Sequence, residues 1–131
     1  MADPVYTSPL IDKLGIKPGA RVAVINIDDA EFRRVLAERT HDITEGDPLP
    51  ESNIVVVGMD DGTELRQLGH LRSRIVPNGA IWVVSRKGKQ ATIRDIEVMA
   101  AAKAVGLVDN KVVAFSATHT SIRLVIPLAL R

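Results

Sequence analysis

Apolar and polar positions follow two regimes along this chain. Short, nearly unbroken apolar runs occupy residues 21–27, 54–59, 80–85, 111–115 and 122–126. Runs of this length with no polar alternation are the pattern of strands buried on both faces. Between them, apolar residues return at every third or fourth position. Phe32, Val35 and Leu36 make one such face, and Leu65, Leu68, Leu71 and Ile75 a second. Ile96, Met99, Ala100 and Ala104 make a third. This spacing predicts helices with one buried stripe each. A shorter helix is predicted through Leu10, Ile11 and Leu14, with Thr7 or Ser8 as its cap, Pro9 in its first position and Gly15 as its stop.

Polar residues punctuate the same pattern. Asp28 with Glu31, and Asp61 with Glu64, have the spacing of capping boxes, and Thr92 with Asp95 is a looser version. Residues 40–44 leave room for a short strand, and residues 45–52, with Gly46, Pro48 and Pro50, read as loop. Pro77, Asn78 and Gly79 predict a turn into the strand at 80–85, while Gly106 ends the last helix and Pro127 ends regular structure. Strands alternating with amphipathic helices predict a three-layer, Rossmann-like α/β fold around a mostly parallel sheet. The two closing strands break the alternation, so they predict an antiparallel hairpin around residues 116–121. One domain spanning residues 1–131 is expected, with no repeat or linker.

Composition narrows the chemistry more than the fold. With no cysteine, disulfides, thiolate metal sites and cysteine nucleophiles are excluded. Aromatic residues make up only 3% of the chain, so the core has to come from Val, Ile, Leu and Ala. A net charge of +1, from 17 basic and 16 acidic residues, supplies no general attraction for nucleic acid or an anionic membrane. No apolar run approaches the roughly 20 residues that cross a bilayer. The first residues lack the charged and apolar regions of a signal peptide, and a cytoplasmic location is expected.

Two resemblances follow from the order of these segments. Residues 10–22, LIDKLGIKPGARV, resemble the helix, turn and first strand of class I methyltransferases. Residues 75–83, IVPNGAIWV, resemble the turn into the fifth strand of those enzymes, and the last helix and hairpin resemble their closing elements. More narrowly, residues 6–19 (YTSPLIDKLGIKPG) and 106–112 (GLVDNKV) resemble shared segments of the DUF3052 family, short bacterial proteins of unknown function. The chain departs from that family after the strand at 80–85, where it reads Ser85, Arg86, Lys87, Gly88, Lys89, and in the hairpin at 116–121. The resemblance implies a methyltransferase-like sheet with its second-to-third-strand region truncated, and the family brings no established activity.

A methyltransferase of this fold uses a glycine-rich turn after the first strand, where glycines let the backbone approach the cofactor, as in dinucleotide sites. Residues 25–32 read INIDDAEF here, without a glycine, so S-adenosylmethionine is not an expected cofactor and none is assigned. Ligands of open α/β sheets bind beyond the carboxyl ends of the strands. Residues 26–29, 60–62 and 85–89 are expected to meet there. Asp28 and Asp60, with the basic residues Arg86, Lys87 and Lys89, are therefore the candidate ligand residues, with Arg94 completing the basic cluster. The plainer reading makes Asp28 and Asp61 helix caps and the basic loop a solvated one. His41, His70 and His119 lie far apart with no second ligand at metal spacing. His70 is expected on its helix surface and His119 at a polar hairpin tip. Trp82 is expected in the core.

The expected function is a non-catalytic binding or regulatory domain on a degenerate methyltransferase-like scaffold, with a second copy or another protein as its partner. The alternatives are an enzyme acting on a small anionic substrate at the strand carboxyl ends, or a divergent methyltransferase.

Overall fold

The computed structural model describes residues 9–131, so the proposed caps Thr7 and Ser8 lie outside the described residues. Helix α1 (Leu10–Lys13) leads to β1 (Val22–Ile25), α2 (Ala30–Arg39) and β2 (Ile43–Glu45). The chain then runs directly to β3 (Ser52–Gly58), with no strand or helix between them. A 3₁₀ segment, Gly62–Gln67, continues into α3 (Leu68–Arg72). β4 (Ile75–Arg86), α4 (Asp95–Ala104), β5 (Val108–Ala114) and β6 (His119–Val125) follow, with 3₁₀ turns at Gly88–Gln90 and, just after Pro127 where regular structure was expected to end, at Leu128–Leu130.

The strands form one six-stranded sheet in the order β2-β1-β3-β4-β6-β5. β2, β1, β3 and β4 are parallel. β6 inserts antiparallel between β4 and β5, giving the expected closing hairpin. Alternation along the strands splits the core in two. Val22, Val24, Ile54, Val56, Trp82 and Val84 pack on one face with α1 and α2. Ala23, Val55, Val57, Ile81 and Val83 pack on the other with α3 and α4. Trp82 is fully buried, and its indole Nε1 donates to the Leu14 carbonyl at 2.9 Å, fastening the end of α1 to the centre of the sheet. Gly15 follows at φ +72°, a conformation natural to glycine, and turns the chain away.

Four local expectations change. Asp29, not Asp28, caps α2 by accepting from the Phe32 amide at 2.9 Å. With Asp29 as the cap, the N3 position falls on Phe32, so no capping box forms, and the Glu31 carboxylate pairs with Arg34 instead. Thr92 does not cap α4 either. Its hydroxyl donates to the Asp60 carbonyl, while Glu97 accepts from the Arg94 amide at 3.0 Å. The predicted turn at Pro77, Asn78 and Gly79 sits inside β4 as an irregularity, where the register jumps from Ser52↔Ile75 to Ile54↔Ala80.

The fourth change is the face of α4. Val98 and Ala102 are buried, with Ile93 just before the helix, whereas Ile96 is 62% and Met99 39% exposed. The sequence supports both stripes, since nearly every side of this helix is apolar. Buried Ile93 fixes the phase by anchoring the chain on the sheet before the helix starts. The capping box of Asp61 and Glu64 forms as expected. No helix among the described residues is long and apolar enough to cross a membrane.

Candidate functional site

A cavity of about 120 Å³ lies beyond the carboxyl ends of β1, β3 and β4, bordered on one side by the hairpin tip between β5 and β6. Its walls come from the loop after β1, the loop after β3, and the hairpin residues Ser116, Thr118 and His119. Asn26 governs its shape. This residue has φ +53°, a left-handed conformation that asparagine tolerates better than most. Its side-chain amide donates to the Gly58 carbonyl at 3.1 Å and to Asp60 Oδ2 at 3.2 Å. Its own carbonyl lies so close to Gly58 that a Cβ there would overlap it. The loop after β1 is thus laid directly over the end of β3.

The local sequence explains this closure. A glycine after β1 would leave the backbone free to stand back, whereas Asn26 is held by bonds of its own side chain. Gly58 supplies the bare surface on which that backbone rests. Asp60 is fixed by Asn26, and its carbonyl accepts from Thr92.

Asp28 and Asp60 both line the cavity, as does Asp29, whose carboxylate is engaged as a cap. Asp61 lies outside the lining. The hydroxyl and amide of Thr63 hold the Asp61 carboxyl below the usual carboxylate range. Arg86, Lys87 and Lys89 are exposed and do not line the cavity. The loop they form touches the hairpin tip through its backbone, the Lys87 amide donating to the Thr118 carbonyl at 3.0 Å. The cavity is therefore acidic, and the expected meeting of acidic and basic groups does not occur in it.

The hairpin tip is polar, as expected for His119, and it also lines the cavity. His119 pairs with Arg86 across the β4–β6 ladder, and its Nδ1 is 2.7 Å from the Thr118 hydroxyl. Ser116 Oγ accepts from the amides of Thr118 and His119 at 3.3 and 3.1 Å, closing the turn. The signal that could have found them is topological: a hairpin whose last strand joins β4 must bring its tip to the carboxyl end of β4. His70, by contrast, is exposed and paired with Asp47 at 2.5 Å. Among the described residues, no three His, Asp or Glu side chains gather as a metal site would require.

This strand order, with its inserted antiparallel strand, is that of the S-adenosylmethionine-dependent methyltransferase class of folds. A putative methyltransferase from Thermoplasma acidophilum superposes with a TM-score of 0.58 at 10% identity, over 95% of this chain and 76% of that one. A SAM dependent methyltransferase from Aquifex aeolicus gives 0.59 at 12% identity, over 88% and 86%. The pyocyanin biosynthetic protein PhzM gives 0.65 at 11%, and there the chain spans only 52% of its relative. At such identities the likeness is one of fold. The family described as "Protein of unknown function (DUF3052)" matches residues 11–128, and the chain belongs to it. No curated protein sequence is significantly similar.

Proposed function

We propose that the chain is a non-catalytic binding or regulatory domain. In this reading its methyltransferase-like crevice is sealed against S-adenosylmethionine and takes a small polar group beside Asp28 and Asp60. The observation that carries this reading is the seating of Asn26 on Gly58. It occupies the ground over which a nucleoside cofactor would pass in this fold. The polar cavity beside Asp28 and Asp60, about 120 Å³, is well below the roughly 300–1,000 Å³ of small-molecule sites. The neighbouring space of about 360 Å³ that shares Asp29, Phe115 and Ser116 is walled mainly by apolar residues of α1 and α2. Three carboxylates against one histidine in the walls of the polar cavity favour an amine or a hydroxyl donor over an anion.

The polar tip supports binding over catalysis. Ser116 spends its oxygen on two backbone amides, and His119 spends Nδ1 on Thr118. The reading of an enzyme for an anionic substrate loses support because Arg86, Lys87 and Lys89 stand outside the cavity. β5 is an edge strand exposing Val108 and Val112, which suits pairing with a second copy or another protein.

Isothermal titration calorimetry with S-adenosylmethionine and S-adenosylhomocysteine tests the central claim. Neither should produce binding heat. Micromolar affinity for either would overturn the proposal.

A further inference from the structure

We propose that the opposite end of the sheet carries a second site, for the phosphate group of a small phosphorylated molecule. A cavity of about 400 Å³ opens at the amino ends of the parallel strands. Its walls include Lys17 and Gly19 from the loop before β1, Asn53 from β3, Asn78 and Gly79 from the irregularity in β4, and Arg123 from β6. No carboxylate lines it. Its volume falls in the range of small-molecule sites, roughly 300–1,000 Å³.

Arg123 is the anomaly that points to a ligand. Each of the other half-buried arginines has found an oxygen. Arg21 pairs with Asp42, Arg33 with Glu45, Arg39 with Asp12 and Arg74 with Asp47, while Arg72 donates to the Gly106 carbonyl. Arg74 and Arg123 both bury an Nε without a hydrogen-bond partner, but Arg74 still reaches Asp47 through Nη2 at 3.5 Å, whereas half-buried Arg123 has no ion pair among the described residues. The guanidinium charge of Arg123 is balanced by no carboxylate of the chain among the described residues, and an oxyanion in the cavity would supply that partner.

The cavity's remaining groups fit the same ligand. Lys17 adds a second cation, with no carboxylate partner among the described residues. The Asn53 Oδ1 accepts from the Arg21 amide at 2.8 Å, which leaves its Nδ2 as a donor. One planar guanidinium fork, one ammonium and one amide match the three oxygens and near-double charge of a phosphate monoester. A carboxylate would leave one of the two charges unbalanced.

Thermal unfolding and calorimetry on the full chain decide the matter, with inorganic phosphate and glycerol phosphate as probes and chloride at equal ionic strength as control. The wild-type Tm should rise by about 8 °C at a hundredfold excess over Kd. Arg123→Met should weaken binding about 10- to 100-fold while leaving the unliganded Tm unchanged or higher, because it removes the unpaired Nε. Lys17→Gln, an exposed change that leaves the fold intact, should weaken binding by about tenfold. Equal affinity for both probes would identify the free anion as sufficient, and a preference for glycerol phosphate would identify an ester. No stabilisation beyond chloride, or stabilisation that survives both substitutions, would overturn the site. Neither result bears on whether S-adenosylmethionine binds at the other end.

Discussion

The carboxyl and amino ends of the same parallel strands differ in charge and in the space they enclose. Beyond β1 and β3 the chain collects Asp28, Asp29 and Asp60 around a space of about 120 Å³. Before the same strands it leaves about 400 Å³ beside Lys17 and Arg123. Winding contributes to the charge difference through the cap Asp29 at one end, whereas Asp28, Asp60, Lys17 and Arg123 come from loops and from β6. Helices run antiparallel to the strands, so the carboxyl ends meet helix starts, where carboxylates cap amides and favour the dipole. The amino ends receive helix ends, with Lys13, Arg39 and Arg72 in their last turns. The difference in space has another origin. It comes from Asn26 folding down at one end, and from the irregularity around Gly79 holding β4 aside at the other.

Gly58→Ala strikes this contrast hardest. A methyl group there meets the Asn26 carbonyl oxygen, which is backbone and cannot swing away. Urea unfolding should show a loss of about 3 kcal/mol. A cost below about 1 kcal/mol would mean that the loop lifts readily and that the seal is soft. Trp82→Phe acts on the other end. It leaves the buried Leu14 carbonyl unpaired and frees the end of α1 next to Gly15 and Lys17. A loss of about 2 kcal/mol is expected, with faster hydrogen exchange at residues 14–19 and none of that change at residues 58–60. Uniform acceleration at both ends would show that the two are not mechanically separate.

Acid should weaken the carboxyl end through a smaller, local effect. The Asp61 carboxyl sits below its ordinary value of 3.8, chiefly through the hydrogen bond from the Thr63 side chain. Its contribution is complete above that value and disappears as pH falls through the lower folded-state value. Asp61→Asn should therefore be less stable than wild type at pH 7, and the gap should close toward pH 2. A gap independent of pH would assign the effect to capping geometry rather than to charge.

The sheet, its helices and the closing hairpin were legible because buried strands and amphipathic helices write opposite periodicities. Finer features were lost for identifiable reasons. Asp28 and Asp29 are adjacent carboxylates, and only φ and ψ decide which one caps. α4 is apolar on almost every side, so Ile96 and Met99 compete with Val98 and Ala102 until Ile93 sets the phase. At the candidate site, the placement of Asn26, Asp28 and Asp60 was foreseeable from the carboxyl-end rule, but the seating of Asn26 on Gly58 was not. The left-handed backbone of Asn26 leaves no mark on residue type beyond being an asparagine. Arg123 reads in sequence as the polar member of a strand, and only the absence of an acid opposite makes it conspicuous.

The insertion of β6 between β4 and β5 also sets an order of events during synthesis. β4 needs seven residues of β6, from His119 to Val125, to cover its second edge. At about 5–20 residues per second, the ribosome takes roughly 2–8 s to reach them after finishing β4. Through that interval the nascent chain carries a long, apolar strand with one open flank, the kind of edge that recruits other chains. The parallel half can assemble early, but its exposed side is protected only when the last strand arrives. Stalling or truncation before residue 119 would leave the most adhesive strand of the protein uncovered.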